Sequence, residues 1–142
     1  FRSDLLADTK LAPELSNEAH YYRAKAYLDA GKTDGAMEDL KVLAKDTRNV
    51  YGAEAKYKVA QIYFDGGQTD KAEQEVLNYI EVSTPHTYWL ARSFVLLADV
   101  YMKLGRNLDA KQYLLSLKQN YQADDDIAGM IESRLEKLKT EN

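Results

Sequence analysis

The chain has 142 residues, 45% of them hydrophobic and 30% charged, with a net charge of −4 and a pI near 5.2. That size supports a core of its own, and the acidic balance argues against a nucleic-acid partner, which needs clustered Lys and Arg. With no cysteine, disulfides and thiolate metal sites are excluded, and no apolar run approaches the roughly 18 residues of a membrane span, so no direct membrane insertion is expected.

The chain opens at Phe1 without a signal-peptide pattern and is expected to be a mature or excised piece. Residues 3–12 are helical in character and Pro13 follows. Three copies of one pattern come next, Ala-x-x-Tyr-x-x-x-Gly-x-x-x-x-Ala. The first runs from Ala24 through Tyr27 and Gly31 to Ala36. The second runs from Ala60 through Tyr63 and Gly67 to Ala72, and the third from Ala98 through Tyr101 and Gly105 to Ala110. The glycines are 36 and 38 residues apart, a spacing typical of stacked helical repeats.

Each copy reads as a helix, a short turn and an antiparallel helix. Ahead of Gly67, the residues Ala55, Val59, Ala60, Ile62 and Tyr63 fall on one helical face. Beyond the glycines, second helices carry Ala36, Leu40 and Leu43, then Ala72, Val76, Tyr79 and Ile80, then Ala110, Leu114 and Leu117. The glycines suit a left-handed helix end. Thr33, Thr69 and Asn107 are expected as N-caps of the second helices. The paired alanines mark close helix crossings, and Tyr27, Tyr63 and Tyr101 are expected to wedge the hairpin ends, their hydroxyls reaching water or backbone. Asp124-Asp125-Asp126 leads into Ile127, Ile131, Leu135 and Leu138, one more amphipathic helix with an acidic start.

Over residues 17–122 the pattern resembles the tetratricopeptide repeat family. Repeats are expected at 17–50, 52–84 and 85–122, with 1–13 the end of a preceding repeat and 124–140 a capping or next-repeat helix. The copies are longer than the family period of 34, and the extra residues are placed in the turns around Thr47-Arg48-Asn49 and Ser83-Thr84-Pro85-His86. Thr84 and Pro85 read as an N-cap and first-turn pair, starting a helix at Pro85. The early aromatic of the family is replaced by His20 and Lys56, and kept as Phe94. The resemblance implies an all-α, right-handed superhelical solenoid of antiparallel hairpins with flanking terminal helices.

It also implies a concave face lined by the first helix of each hairpin, at fixed offsets before the glycine. The partner-binding candidates so placed are Tyr21, Lys25 and Leu28, then Tyr57, Gln61 and Phe64, then Arg92, Asp99 and Met102. Glu18, Asp29, Glu54, Asp65, Val95 and Lys103 share the face. Apolar anchors with interspersed charges suit a protein or peptide partner. Tyr57 and Phe64 are expected as exposed anchors, whose joint replacement by Ala abolishes capture with helical content intact. The competing reading makes Tyr21 and Tyr57 packing residues. The family's carboxylate clamp for chaperone C-termini uses Lys and Asn, and the matching positions here hold Tyr21, Lys25, Tyr57 and Gln61, so that activity is not carried over.

No P-loop, G-x-S-x-G or H-E-x-x-H motif occurs, and a non-catalytic scaffold without cofactor or metal is expected. His20 and His86 read as packing or surface histidines. Tyr51 and Trp89, each 16 residues before their glycines, read as packing between hairpins rather than as a carbohydrate platform. The alternative to a binding module is a structural segment that self-associates end to end, through Leu5, Leu11, Ile127, Ile131 and Leu138 on the terminal helices. The stretch from Thr84 to Arg92, with Leu97 to Tyr101, is similar to repeat scaffolds of the bacterial cell envelope. A periplasmic or envelope location is therefore expected, with the cytoplasm as the alternative.

Overall fold

A computed structural model of the chain describes residues 13–82 and 84–141. The helix expected over 3–12 lies outside them. The described residues form helices α1 (Pro13–Asp29), α2 (Thr33–Leu43), α3 (Val50–Asp65), α4 (Thr69–Glu81), α5 (Thr87–Lys103), α6 (Asn107–Asn120) and α7 (Ile127–Glu141), with no strand among them. Three hairpins, α1–α2, α3–α4 and α5–α6, stack in chain order, and α7 packs on the last, giving an all-α helical solenoid.

The hairpin turns share one backbone geometry. Gly31, Gly67 and Gly105 have φ of 74°, 81° and 77°, a region that disfavours any side chain with a Cβ. The N–H after each glycine donates to the tyrosine carbonyl five residues back: Lys32 to Tyr27 at 2.7 Å, Gln68 to Tyr63 at 2.8 Å and Arg106 to Tyr101 at 2.7 Å. The glycine N–H donates three residues back, to Leu28, Phe64 and Met102. This double bond pattern closes a helix at its C-terminus. The same Lys32, Gln68 and Arg106 then begin the second helices, with no side-chain cap bond. Thr33, Thr69 and Asn107 therefore stand one position inside the helix and are not the expected caps. The residue that completes the first helix also opens the second, so the turn has no room for a separate cap.

The alanines meet where the helices cross. Ala24, Ala36, Ala60, Ala72, Ala98 and Ala110 are all at most 1% exposed. Leu40, Leu43 and Val59 join the first pair, and Val76, Leu96, Leu97, Val100 and Leu114 join the others. The position where the family carries an aromatic faces the second helix in every hairpin. His20 Nδ1 lies 2.7 Å from Asp39, Lys56 Nζ donates to Asn78 at 2.7 Å, and Phe94 packs 6.2 Å from the ring of Tyr113. Two polar pairs thus replace two aromatic contacts. The Tyr101 ring stacks on Tyr113 with centroids 5.6 Å apart, and the Arg106 guanidinium lies 4.3 Å from its centroid.

Between hairpins the links are short and bonded. Asn49 caps α3, its Oδ1 accepting from Tyr51 N at 2.8 Å. α5 begins at Thr87, two residues after Pro85. Thr84 is occupied otherwise: its hydroxyl donates to the Thr47 carbonyl at 2.7 Å and accepts from His86 N at 3.1 Å. His86 Nε2 donates to the Arg48 carbonyl at 2.9 Å, joining the two links.

Gly52 sets how closely α3 approaches α2. A Cβ there would overlap the Asp46 carbonyl and lie 2.6 Å from the Leu43 carbonyl oxygen, both backbone atoms. Gly52→Ala is expected to lower the unfolding free energy by about 2 kcal/mol or more. Gly129 on α7 meets nothing within 4 Å, so Gly129→Ala should raise it by up to about 1 kcal/mol. Urea unfolding of both variants checks the opposed signs.

Candidate functional site

The first helices α1, α3 and α5, with α7, form the face on which the nine candidate residues were placed. The spacing of the repeat makes neighbouring first helices meet in the same way. Tyr21 packs 4.6 Å from the ring of Tyr51 on the next hairpin, and its hydroxyl donates to Glu54 at 3.1 Å. One hairpin on, Tyr57 packs 5.7 Å from Trp89 and accepts from Arg92 Nη2 at 2.9 Å. Tyr51 and Trp89 are packing residues, as expected. The Arg92 guanidinium also sits 4.8 Å from the Tyr57 ring centroid, a cation–π contact.

This arrangement corrects the role expected for Tyr57. It is only 6% exposed, sealed by Trp89, and its hydroxyl donates to Gln61 at 2.8 Å. It is a core residue and not an exposed anchor, so Tyr57→Ala should cost about 3 kcal/mol or more of stability rather than leave the fold intact. Gln61 in turn donates to Asp65 at 2.8 Å. Arg92 is shared between Tyr57 and Tyr88, the latter at 3.0 Å. Lys25 is exposed, its Nζ 5.4 Å from the Tyr21 ring.

The third junction differs. Val95 stands where Tyr21 and Tyr57 stood and is 3% exposed. No aromatic bridge forms, and α7 closes the junction through Arg134, whose Nε and Nη2 both donate to Asp99 at 3.0 Å. Beside this pair an open cleft of about 600 Å³ is lined by Phe64, Asp99, Met102, Lys103, Ser133, Arg134 and Lys137. Phe64, Asp99 and Met102 are thus brought together. Tyr21, Lys25 and Leu28 are not among them, and Leu28 lines a separate cleft of about 580 Å³ with Met37, Ile62, Tyr63, Asp34 and Asp65.

The α7 wall was missed by sequence reasoning, because α7 has no glycine turn from which to count. Its signal is the spacing: Arg134 lies 35 residues after Asp99, as Arg92 lies 35 after Tyr57. The apolar face of α7 is spent on this packing. Ile127, Ile131 and Leu138 are 1%, 2% and 3% exposed, so they are not the self-association surface expected of them. Leu5 and Leu11 lie outside the described residues.

Among the described residues no group of three or more His, Asp or Glu is placed to hold a metal ion. No described helix is long and apolar enough to cross a membrane. Asp39, beside His20, also accepts from Arg23 at 2.6 and 2.8 Å.

Comparison with known families agrees with the hairpin geometry. Residues 18–46 match one model of the tetratricopeptide repeat and residues 91–120 match another. Both segments are tetratricopeptide repeats. They fall on α1–α2 and α5–α6, two of the three hairpins of a tetratricopeptide-repeat-like helical solenoid. No curated protein and no solved structure matches the chain. The repeat is in general a non-catalytic module that engages other proteins.

Burial, with the Glu54 carboxylate beside it, pushes the Tyr21 phenol up to about 12 from its ordinary 10. The folded chain then holds that proton more tightly than the unfolded chain. Its contribution to stability is complete below pH 10 and is lost as pH rises from 10 through about 12. Tyr101 and Tyr121 are also pushed up to about 12. Urea midpoints should therefore fall between about pH 9 and about pH 11, and Tyr21→Phe should show a smaller fall than the parent.

Proposed function

We propose that the chain is a non-catalytic scaffold that holds a protein or peptide partner on the face of its first helices, with contact concentrated at the α3–α5–α7 cleft. The observation that carries this is the half-buried apolar pair Phe64 and Met102, open to solvent inside a ring of charged side chains. Elsewhere on this face the hydroxyls of Tyr21 and Tyr57 are bonded to neighbouring side chains. A partner there would have to break the Tyr21–Glu54 and Tyr57–Arg92 bonds, and buried or partly buried bonds of this kind are costly to leave unmade. At the cleft, a partner gains apolar burial at about 25 cal/mol per Å² without that loss.

The middle hairpin α3–α4 is read as a third repeat, because its turn bonds and glycine φ repeat those of the other two. A bacterial envelope or periplasmic setting, with the cytoplasm as the alternative, rests on the similarity of residues 84–92 and 97–101 to envelope repeat scaffolds. Self-association is a second reading, favoured by one observation. Leu104 in the α5–α6 turn and Leu108 and Leu115 on α6 are 43%, 70% and 44% exposed.

A photo-crosslinking side chain at residue 102 or 25 should trap a partner in the native organism, whereas one at residue 108 should not. Phe64→Ala with Met102→Ala should reduce capture by about tenfold or more, with the helical circular dichroism signal unchanged. Capture only from residue 108, together with a dimer in light scattering that Leu108→Ser dissolves, would replace the scaffold reading with self-association.

A further inference from the structure

Two clefts among the described residues, of about 600 and 580 Å³, are opposite in charge. At the first, Lys103, Arg134 and Lys137 surround Phe64 and Met102 against one carboxylate, Asp99. Asp99 is bonded twice to Arg134, so that pair cancels. Lys103 and Lys137 are exposed and make no ion pair among the described residues. At the second, Leu28, Met37, Ile62 and Tyr63 are rimmed by Asp34 and Asp65. Among the described residues the Asp65 carboxylate has no cationic partner and accepts from the Gln61 amide.

Two uncompensated cations over an apolar floor, on a chain of net charge −4, are a local reversal of sign. Complementary charge at an interface rim steers a partner and fixes its register, while the apolar floor supplies the affinity. The geometry points to an acidic, apolar peptide segment as the occupant of the α3–α5–α7 cleft. One apolar side chain rests on Phe64 and Met102, and neighbouring Asp or Glu residues face Lys103 and Lys137. This rests on the scaffold reading above and adds the chemistry of the partner. A nucleic acid would also be drawn by these cations, but it needs a continuous cationic track. The acid-rimmed cleft at the other side of the last turn of α3 interrupts one.

The methionines are placed to test this. Met102 reports the basic cleft, Met37 the acidic one, and Met130 packs against the core. The full chain, labelled with 13C at the methionine methyls, is titrated with two short synthetic peptides blocked at both ends. Both have a Leu-x-x-Phe centre, flanked in one by glutamates and in the other by lysines. The glutamate peptide should shift the Met102 methyl saturably and leave Met37 in place. Its affinity should fall as salt rises, and by about tenfold or more in the double variant Lys103→Glu, Lys137→Glu. Both lysines are exposed, so the circular dichroism of that variant should match the parent. If the lysine peptide shifts Met102 as strongly, the acidic preference is overturned and the scaffold reading stands. An equal shift with an oligo-dT strand overturns the peptide class. No Met102 shift with either peptide overturns the cleft as a site, and crosslinking at residues 25 and 102 then decides the scaffold reading separately.

Discussion

The whole stack hangs on the way each first helix ends. A glycine at φ near 75–80° lets the chain reverse within a few residues while the backbone stays bonded. One residue, Lys32, Gln68 or Arg106, both completes the first helix and starts the second. The reversal is so tight that the helices must cross close to the turn, and only alanine fits at the crossing. Turn and crossing therefore constrain each other: a looser turn would make the alanines into voids, and larger crossing residues would open the turn. The tyrosine one turn earlier belongs to the same unit, since its carbonyl receives the closing bond.

Hairpins of this kind cannot bury both faces alone, and the contact between successive hairpins has its own rule. An aromatic from the next hairpin covers a tyrosine of the one before, and a charged residue three positions later bonds its hydroxyl. Tyr51 and Glu54 do this for Tyr21, and Trp89 and Arg92 do it for Tyr57. The identity of the charge is reversed between the two junctions, Glu in one and Arg in the other. A phenol can donate or accept, so it tolerates either partner. This explains how the repeats differ in sequence while keeping one geometry.

The hairpins were legible because Ala, Tyr and Gly positions are fixed by backbone and close packing, constraints that act within about a dozen residues. What was not legible depends on side chains meeting across about 35 residues. Tyr57 looked like a groove residue by offset, yet Trp89 covers it. Gly52 carries no periodic signal, and its role arises only because α3 abuts the backbone at the end of α2. Thr84 has the chemistry of a helix cap but divides its hydroxyl between the Thr47 carbonyl and His86. Of the candidate site, Phe64, Asp99 and Met102 were found by counting back from the glycines. Ser133, Arg134 and Lys137 were not, because α7 offers no glycine to count from.

The cleft exists because the third junction breaks the rule of the first two. With Val95 in place of a tyrosine, nothing on α5 extends to meet an aromatic from α7, and α7 is instead tied by the Asp99–Arg134 pair. An ion pair occupies less area than a tyrosine stacked under an indole, so the floor beneath it, Phe64 and Met102, stays open. At the first two junctions the repeat uses its aromatic residues to hold itself together, leaving little surface for a partner. At the third, α7 is held by its buried Ile127, Ile131 and Leu138 together with the Asp99–Arg134 pair, and Phe64 and Met102 stay half-buried. Architecture and the proposed recognition thus draw on the same positions along the first helices, and under that reading a ligand gains most where the apolar pair Phe64 and Met102 is left half-buried.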